Sequence, residues 1–265
     1  MLKKKRFLSL SEYTATAWLC ATQAFDGNFL FVFAGYAVRM VRLLVMTAVF
    51  RSIPDTADLS LSQMLTYALL SSVLSEQLFL YTPATTALWE GSIINRFTRP
   101  VPVIGTFVAE TIGKWVPSLL FYTLPVCLAA PLFGVRILPA SAWNGVLFLV
   151  SLLLGISLSF AVDFIFAAFS MRMKNGCWAA LAIRDAVTTL LSGSLIPFAL
   201  LPKGVAAVFQ LLPFGSLAGA PLSIFVGSGS APQLIMLSVF WNLTLWPVCI
   251  LYFRRSQEKM VSFGG

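Results

Sequence analysis

The 265-residue chain contains no histidine, and only 11% of its residues are charged. The first absence removes the side chain most often used for acid–base catalysis near neutral pH. The second lies far below the roughly 25% charged content of an ordinary soluble domain. The four cysteines, Cys20, Cys127, Cys177 and Cys249, are scattered, with no C-x-x-C pair. That spacing supports neither a thiolate metal site nor a disulfide framework, so they read as small apolar fillers. No G-x-x-x-x-G-K-[ST] phosphate loop occurs anywhere, which excludes a nucleotide-hydrolysing motor of that type from this chain. With no clustered acids and no nucleophile motif either, membrane-embedded enzymatic chemistry has little to work with.

What is present is apolar. Hydrophobic residues make up 58% of the chain and the mean hydropathy is +0.88. Apolar runs longer than about 18 residues predict membrane-spanning helices, since barrel strands would alternate instead. The fold class expected is therefore an all-α integral membrane protein. The net charge of +8 does not point to nucleic acid, because most cations border apolar runs, where they report topology.

Six spans are predicted, near residues 29–50, 62–83, 103–130, 143–168, 178–195 and 231–253, forming one transmembrane domain over 29–253. Pro117 and Pro125 predict a kink in the third. Residues 1–28 combine the Lys3–Arg6 cluster with Leu8, Leu10, Tyr13, Trp18, Leu19 and Phe25 among polar residues. That pattern predicts an amphipathic helix lying in the interface, and its polar residues Ser9, Ser11, Glu12 and Thr14 argue against a cleaved signal peptide. Pro54, Asp55 and Asp58 mark the first connection, and residues 254–265 form a basic tail.

Two connections are unusual. Between the second and third spans lies TALWEGSIINRFTRPVPV, a compact charged element over 86–102. Between the fifth and sixth, residues 196–229 are apolar but interrupted by Pro197, Pro202, Pro213 and Pro221. Lipid-facing helices would not tolerate so many breaks, so two short re-entrant helices are expected. Counting Lys and Arg by connection fixes the orientation. One side holds Lys3, Lys4, Lys5, Arg6, Arg96, Arg99, Arg172, Lys174, Arg254, Arg255 and Lys259; the other holds Arg51, Arg136 and Lys203. Eleven against three places both termini and the 86–102 element in the cytoplasm and the broken segment outside.

These two connections resemble those of ABC-2 type transporter permeases, in particular the bacterial six-span exporters with an E-G…R-P element after the second span. Here Glu90 and Gly91 precede Arg99 and Pro100, and the outer segment matches in order at Gly193, Ile196, Pro197, Pro202, Leu212, Pro213, Phe214 and Pro221. The stretch reads FTRP where a leucine commonly precedes the Arg-Pro portion. The resemblance implies a permease subunit in a bacterial plasma membrane, paired as a homodimer or heterodimer with a second permease. It also implies separate ABC ATPase subunits that bind ATP and Mg, this chain holding no cofactor or metal. The 86–102 element would be the coupling helix, with Trp89, Glu90, Gly91, Asn95, Arg96, Arg99 and Pro100 as its contact residues. Physically, Leu88, Trp89, Ile93, Ile94 and Phe97 can pack on the membrane domain or a partner, while Arg96 and Arg99 offer permanently charged planar donors. The alternative reading is an interfacial anchor.

Charged residues fall inside the predicted spans as well. Arg39 and Arg42, with Glu76, are candidates for lining a translocation path that attracts an anionic or zwitterionic cargo; the competing reading is structural ion pairing with Glu76 or Asp163. Glu110 and Lys114 are spaced for a within-helix pair. Asp163 and Arg184 are expected near helix ends, where snorkelling is cheap. Pro197, Pro202, Pro213, Phe214 and Pro221 would form an outer gate, or a cap that stabilises helix packing. The alternative function is a secondary transporter or channel not driven by ATP, for which a second interrupted helix in the first half would be expected. The cargo is not encoded in any motif.

Overall fold

The computed structural model describes residues 9–26, 29–52, 59–99, 101–135, 137–173 and 177–262, excluding the side chains of 25, 26, 29–32, 177, 261 and 262. The Lys3–Arg6 cluster, Pro54, Asp55, Asp58, Pro100, Arg136 and Lys174 lie outside the described residues. Every regular element is helical among the described residues. In chain order these are α1 (Leu10–Asp26), α2 (Phe29–Ser52), α3 (Leu61–Val73), α4 (Ser75–Leu78), α5 (Pro83–Trp89), α6 (Ile93–Thr98), α7 (Val103–Ser118) and α8 (Leu124–Ala129). They continue as α9 (Ala142–Ser170), α10 (Cys177–Leu191), α11 (Lys203–Leu211), α12 (Gly219–Val226) and α13 (Ala231–Ser262).

Four helical stretches are long and apolar enough to cross a membrane: Phe33–Ser52, Val103–Phe133, Ala142–Ser170 and Ala231–Met260. Of the other two predicted spans, one is broken and one is short. The second breaks at Leu74 and again over Phe79–Thr82, leaving α3 and α4 as separate pieces. The fifth, α10, has 15 residues and ends before Gly193. At 1.5 Å per residue it is about 22 Å long, short of a bilayer core of about 30 Å. The third span widens into a π-helical turn at Leu119–Thr123, between the two prolines that predicted a kink. Pro125 has no N–H and crowds the carbonyl four residues back, and the wider turn relieves both.

Backbone groups freed by these breaks are taken up by neighbouring helices. Thr123 Oγ1 donates to the Val73 carbonyl at 3.0 Å and Ser159 Oγ to that of Leu78. Tyr67 Oη donates to Gly193 O and Ser71 Oγ to Ser194 O, both at 2.7 Å. Gly219 N reaches Ser192 O at 2.8 Å, and Gln63 Nε2 reaches Val226 O at 2.8 Å. An apolar surround leaves such groups no water to bond, so broken helices persist only where these partners exist.

The core has two lobes at opposite ends. One gathers Phe50, Leu59, Met64, Tyr67, Phe148 and Phe225, where α2 ends and α3, α9 and α13 begin. The other gathers Ile93, Phe97, Phe107, Phe160, Phe164 and Phe253, where α9 and α13 end and α7 begins. α1 lies along α7 through two glycines: a Cβ on Gly113 would sit 2.2 Å from the Ala17 carbonyl, and one on Gly105 2.6 Å from Tyr13 Oη. Its other side leaves Leu10, Trp18 and Leu19 exposed. α13 continues helically past residue 253 to Ser262.

Residues 196–229 form two short helices, α11 and α12, with a 3-10 turn at Phe198–Leu200 before the first and another at Pro213–Ser216 between them. They differ sharply. α11 has no buried residue, whereas all eight residues of α12 are buried between α3, α9 and α13. The Phe198 ring is wedged between Gly193 and Gly219, where Cβ atoms would approach it to 2.7 and 2.2 Å. Gly219→Val should therefore lower stability by about 1–3 kcal/mol through overpacking, seen as a reduced Tm in detergent. Gly204, with nothing within 4 Å of its Cβ position, should accept alanine with no loss.

Candidate functional site

The 86–102 element is a hairpin of two short helices. Thr82 caps α5 by accepting the Ala84 N–H at 3.4 Å, and Pro83 takes the first helical position, where its missing N–H is harmless. Gly91, at φ +72°, supplies the left-handed residue that separates α5 from α6. Ile93 and Phe97, one turn apart, are buried, and the Phe97 ring meets Phe253 edge-on at 6.4 Å. Leu88 and Ile94 are half-buried against the same lobe.

The candidate contact residues divide into two sets. Trp89, Glu90, Gly91, Asn95 and Arg99 are exposed, with Trp89 at 61% leaning on Trp178 at 5.7 Å. Arg96 instead folds inward: its guanidinium pairs with Glu110 at 2.5 Å and lies over the Phe107 ring at 4.8 Å. That geometry replaces the within-helix pair expected of Glu110 and Lys114; Lys114 is exposed and has no ion pair among the described residues. A residue on the adjacent hairpin outcompetes one on the same helix because packing on Phe107 already holds it in place.

The root of the hairpin is fixed by a buried charge cluster. Asp163 on α9 and Arg184 on α10 pair at 3.4 Å, with side chains 4% and 3% exposed. Asp163 also accepts the Thr82 N–H at 3.1 Å and the Thr82 hydroxyl at 2.5 Å. Arg184 donates to the Leu80 carbonyl, lies 4.5 Å from the centre of the Tyr81 ring, and reaches Asp185 at 3.4 Å. Snorkelling to a helix end is thus not what these residues do. They are sealed inside and bind the 79–82 linker to two helices. The sequence flags each as a charge in an apolar run, but their pairing depends on the register between α9 and α10, which no local pattern encodes.

The second cluster lies among α2, α3, α4 and α7. Arg39 pairs with Glu76 and donates to Ser118 Oγ at 2.9 Å, with Tyr36 and Tyr122 ring centres at 5.3 and 5.4 Å. The structural ion pair considered for Arg39 is present, although both side chains keep some exposure, at 19% and 30%. Arg42 has no such pair among the described residues. Its described hydrogen bond is to Ser194 Oγ at 3.4 Å, beside a water-sized void that it shares with Ser71 and Ser72.

Of the residues expected at an outer gate, Pro197 and Pro221 are buried, Pro213 and Phe214 half-buried, and Pro202 exposed. Pro197 and Pro202 immediately precede the Phe198–Leu200 turn and α11, and Pro213 opens the next turn. Pro221 is third in α12, where its absent N–H needs no partner. α12 therefore belongs to the packed body, and α11 alone is peripheral. Beside the end of α12, a cleft of about 1190 Å³ is lined by Ser60, Gln63, Thr66, Pro139 and Phe225, among others.

A model of the family described as "ABC-2 family transporter protein" matches residues 36–264. No curated protein matches the chain.

Breaking the Asp163–Arg184 pair from one side strands a buried charge. Arg184→Met alone should cost about 3–5 kcal/mol, and adding Asp163→Leu should recover much of it. Thermal unfolding of the purified single and double variants checks both; a double variant less stable than the single would contradict the assignment.

Proposed function

Since the chain belongs to the ABC-2 transporter family and is thus a multi-pass ABC transporter permease, we propose that it works as an exporter subunit driven by a separate ATPase. In this reading the chain crosses the bacterial plasma membrane six times, with the α5–α6 hairpin in the cytoplasm. A second permease, identical or not, completes the translocation path. ATP and Mg bind to the ATPases alone.

The observation that carries this reading is the two-sided hairpin. Ile93 and Phe97 anchor it in the lobe formed by α7, α9 and α13, while Trp89, Glu90, Gly91, Asn95 and Arg99 face outward. A soluble motor needs such a handle: exposed enough to grip, and packed firmly enough that displacement is transmitted. The rigid connections are the Arg96–Glu110 pair to α7 and the Asp163–Arg184 cluster to α9 and α10. A push on the exposed face would reach the near ends of those helices. At the opposite end their packing involves α12 and α3, so the two lobes provide distinct ends for inward- and outward-open states.

The distribution of charge supports the orientation. Arg172, which donates to Ser256 Oγ at 3.1 Å, joins Arg254, Arg255 and Lys259 at the hairpin end of α9 and α13, whereas Arg51 closes α2 at the other. Residues 196–229 then enter from the outer side. Leu217 meets Gly155 midway along α9, and α12 runs from there back to the level of Gln63.

Because Arg96 is held by Glu110, it is a poor probe of docking. Trp89→Ala with Arg99→Glu should reduce co-purification of a P-loop ATPase at least tenfold, the factor that about 1.4 kcal/mol of lost binding gives, without lowering Tm. Arg96→Gln should instead lower Tm. Undiminished assembly of the Trp89/Arg99 variant would overturn the contact face.

A further inference from the structure

The acidic side chains at membrane depth can each be matched to an arginine, and among the described residues the match leaves two cations over, the exposed Lys114 and the half-buried Arg42. Glu76 has Arg39, Glu110 has Arg96, and both Asp163 and Asp185 have Arg184. Arg42 is the fourteenth residue of the 24-residue α2, near its midpoint, and meets no carboxylate among the described residues. A second copy of this chain could not supply one at that depth from the described spans, because those acids are already committed. Nor do the adjacent hydroxyls neutralise it. Ser71 Oγ donates to Ser194 O, and Ser72 Oγ is engaged with Tyr122 Oη at 2.5 Å. Ser194 Oγ, 3.4 Å from the guanidinium, is the one hydroxyl of this group described only as an acceptor.

The site is built by the fold. The end of α10 at Leu191 and the positive φ of Gly193 bring Ser194 to α3, where Ser71 and Tyr67 fix the 193–194 carbonyls. Arg42 therefore faces a fixed surface on one side. Because α2 packs mainly on α3 and leaves Val38, Val41 and Val45 exposed beside it, the approach to Arg42 along α2 is apolar. A permanently charged planar donor flanked by a hydroxyl, with an apolar approach, suits an anionic head on an apolar tail.

We propose that Arg42, assisted by Ser194, is the binding site for the phosphate or carboxylate head of an anionic amphiphile. This deepens the exporter reading by giving the cargo a chemical class, and it rests on the membrane placement of α2 in that reading. The same head chemistry is offered by a transported single-chain amphiphile and by a bulk phospholipid, and the two are separable.

The test uses the full-length permease in phosphatidylcholine vesicles, with monododecyl phosphate as probe and dodecyl maltoside as its uncharged counterpart. Wild type should bind the phosphate preferentially, by about tenfold or more for a charge-assisted contact. Arg42→Gln should abolish the preference and Arg42→Lys retain part of it. Lys114→Gln, removing an exposed cation elsewhere, should leave it intact. Displacement of the probe by added phosphatidylglycerol would assign the site to bilayer lipid, and resistance to it would assign the site to cargo; both uphold the anion site. Equal preference in wild type and Arg42→Gln would overturn it. ATPase co-purification by Arg42→Gln, unchanged if the subunit reading holds, separates failure here from failure there.

Discussion

Every break in a helix of this protein exposes backbone groups that an apolar environment cannot solvate, and the molecule is organised around satisfying them. Thr123, Ser159 and Arg184 serve the carbonyls of the broken second span; Tyr67 and Ser71 serve those after α10. Each such bond joins two helices that share little sequence pattern. Interruptions that would destabilise an isolated span thereby become the cross-links of the bundle. They also explain why α3 and α4 are separate pieces and why α10 can end before Gly193.

Arg184 shows how this constraint reaches function. The same guanidinium that takes up the Leu80 carbonyl also neutralises Asp163, which in turn holds Thr82, the cap of α5. One buried group thus ties α9, α10 and the first turn of the exposed hairpin together. A buried ion pair offers little net stability over an apolar core, but its geometry is unforgiving. In the proposed reading, that property suits the point where the hairpin joins the helices it would move. The remaining charges follow the same rule, with each described acid at membrane depth given an arginine, and the exposed Lys114 and the half-buried Arg42 left over.

Much of the architecture was legible from residue chemistry. Pro197 and Pro213 marked real breaks, and the Pro117–Pro125 interval did perturb its helix. The hairpin was recognisable because Glu90, Asn95, Arg96 and Arg99 interrupt apolar runs. Cross-helix partners were not legible, since register decides them. Arg96 therefore turned inward to Glu110, and Asp163 and Arg184, expected to snorkel, sealed each other. GAPLSIFV has no charged residue and no polar face, a pattern that marks a helix buried on all sides. α12 is that helix, and part of a segment expected to form an outer gate, or a cap that stabilises helix packing, lies within the core.

An ATP-driven role requires the exposed face of the hairpin to lie on the cytoplasmic side of the bilayer, because only that side holds ATP. Asn95, exposed at the tip of that face, is the position to interrogate. In intact cells, with the four native cysteines replaced, Asn95→Cys should react with a membrane-permeant maleimide and be untouched by an impermeant one until the membrane is opened. Labelling by the impermeant reagent in sealed cells would place the handle outside and contradict an ATP-driven role.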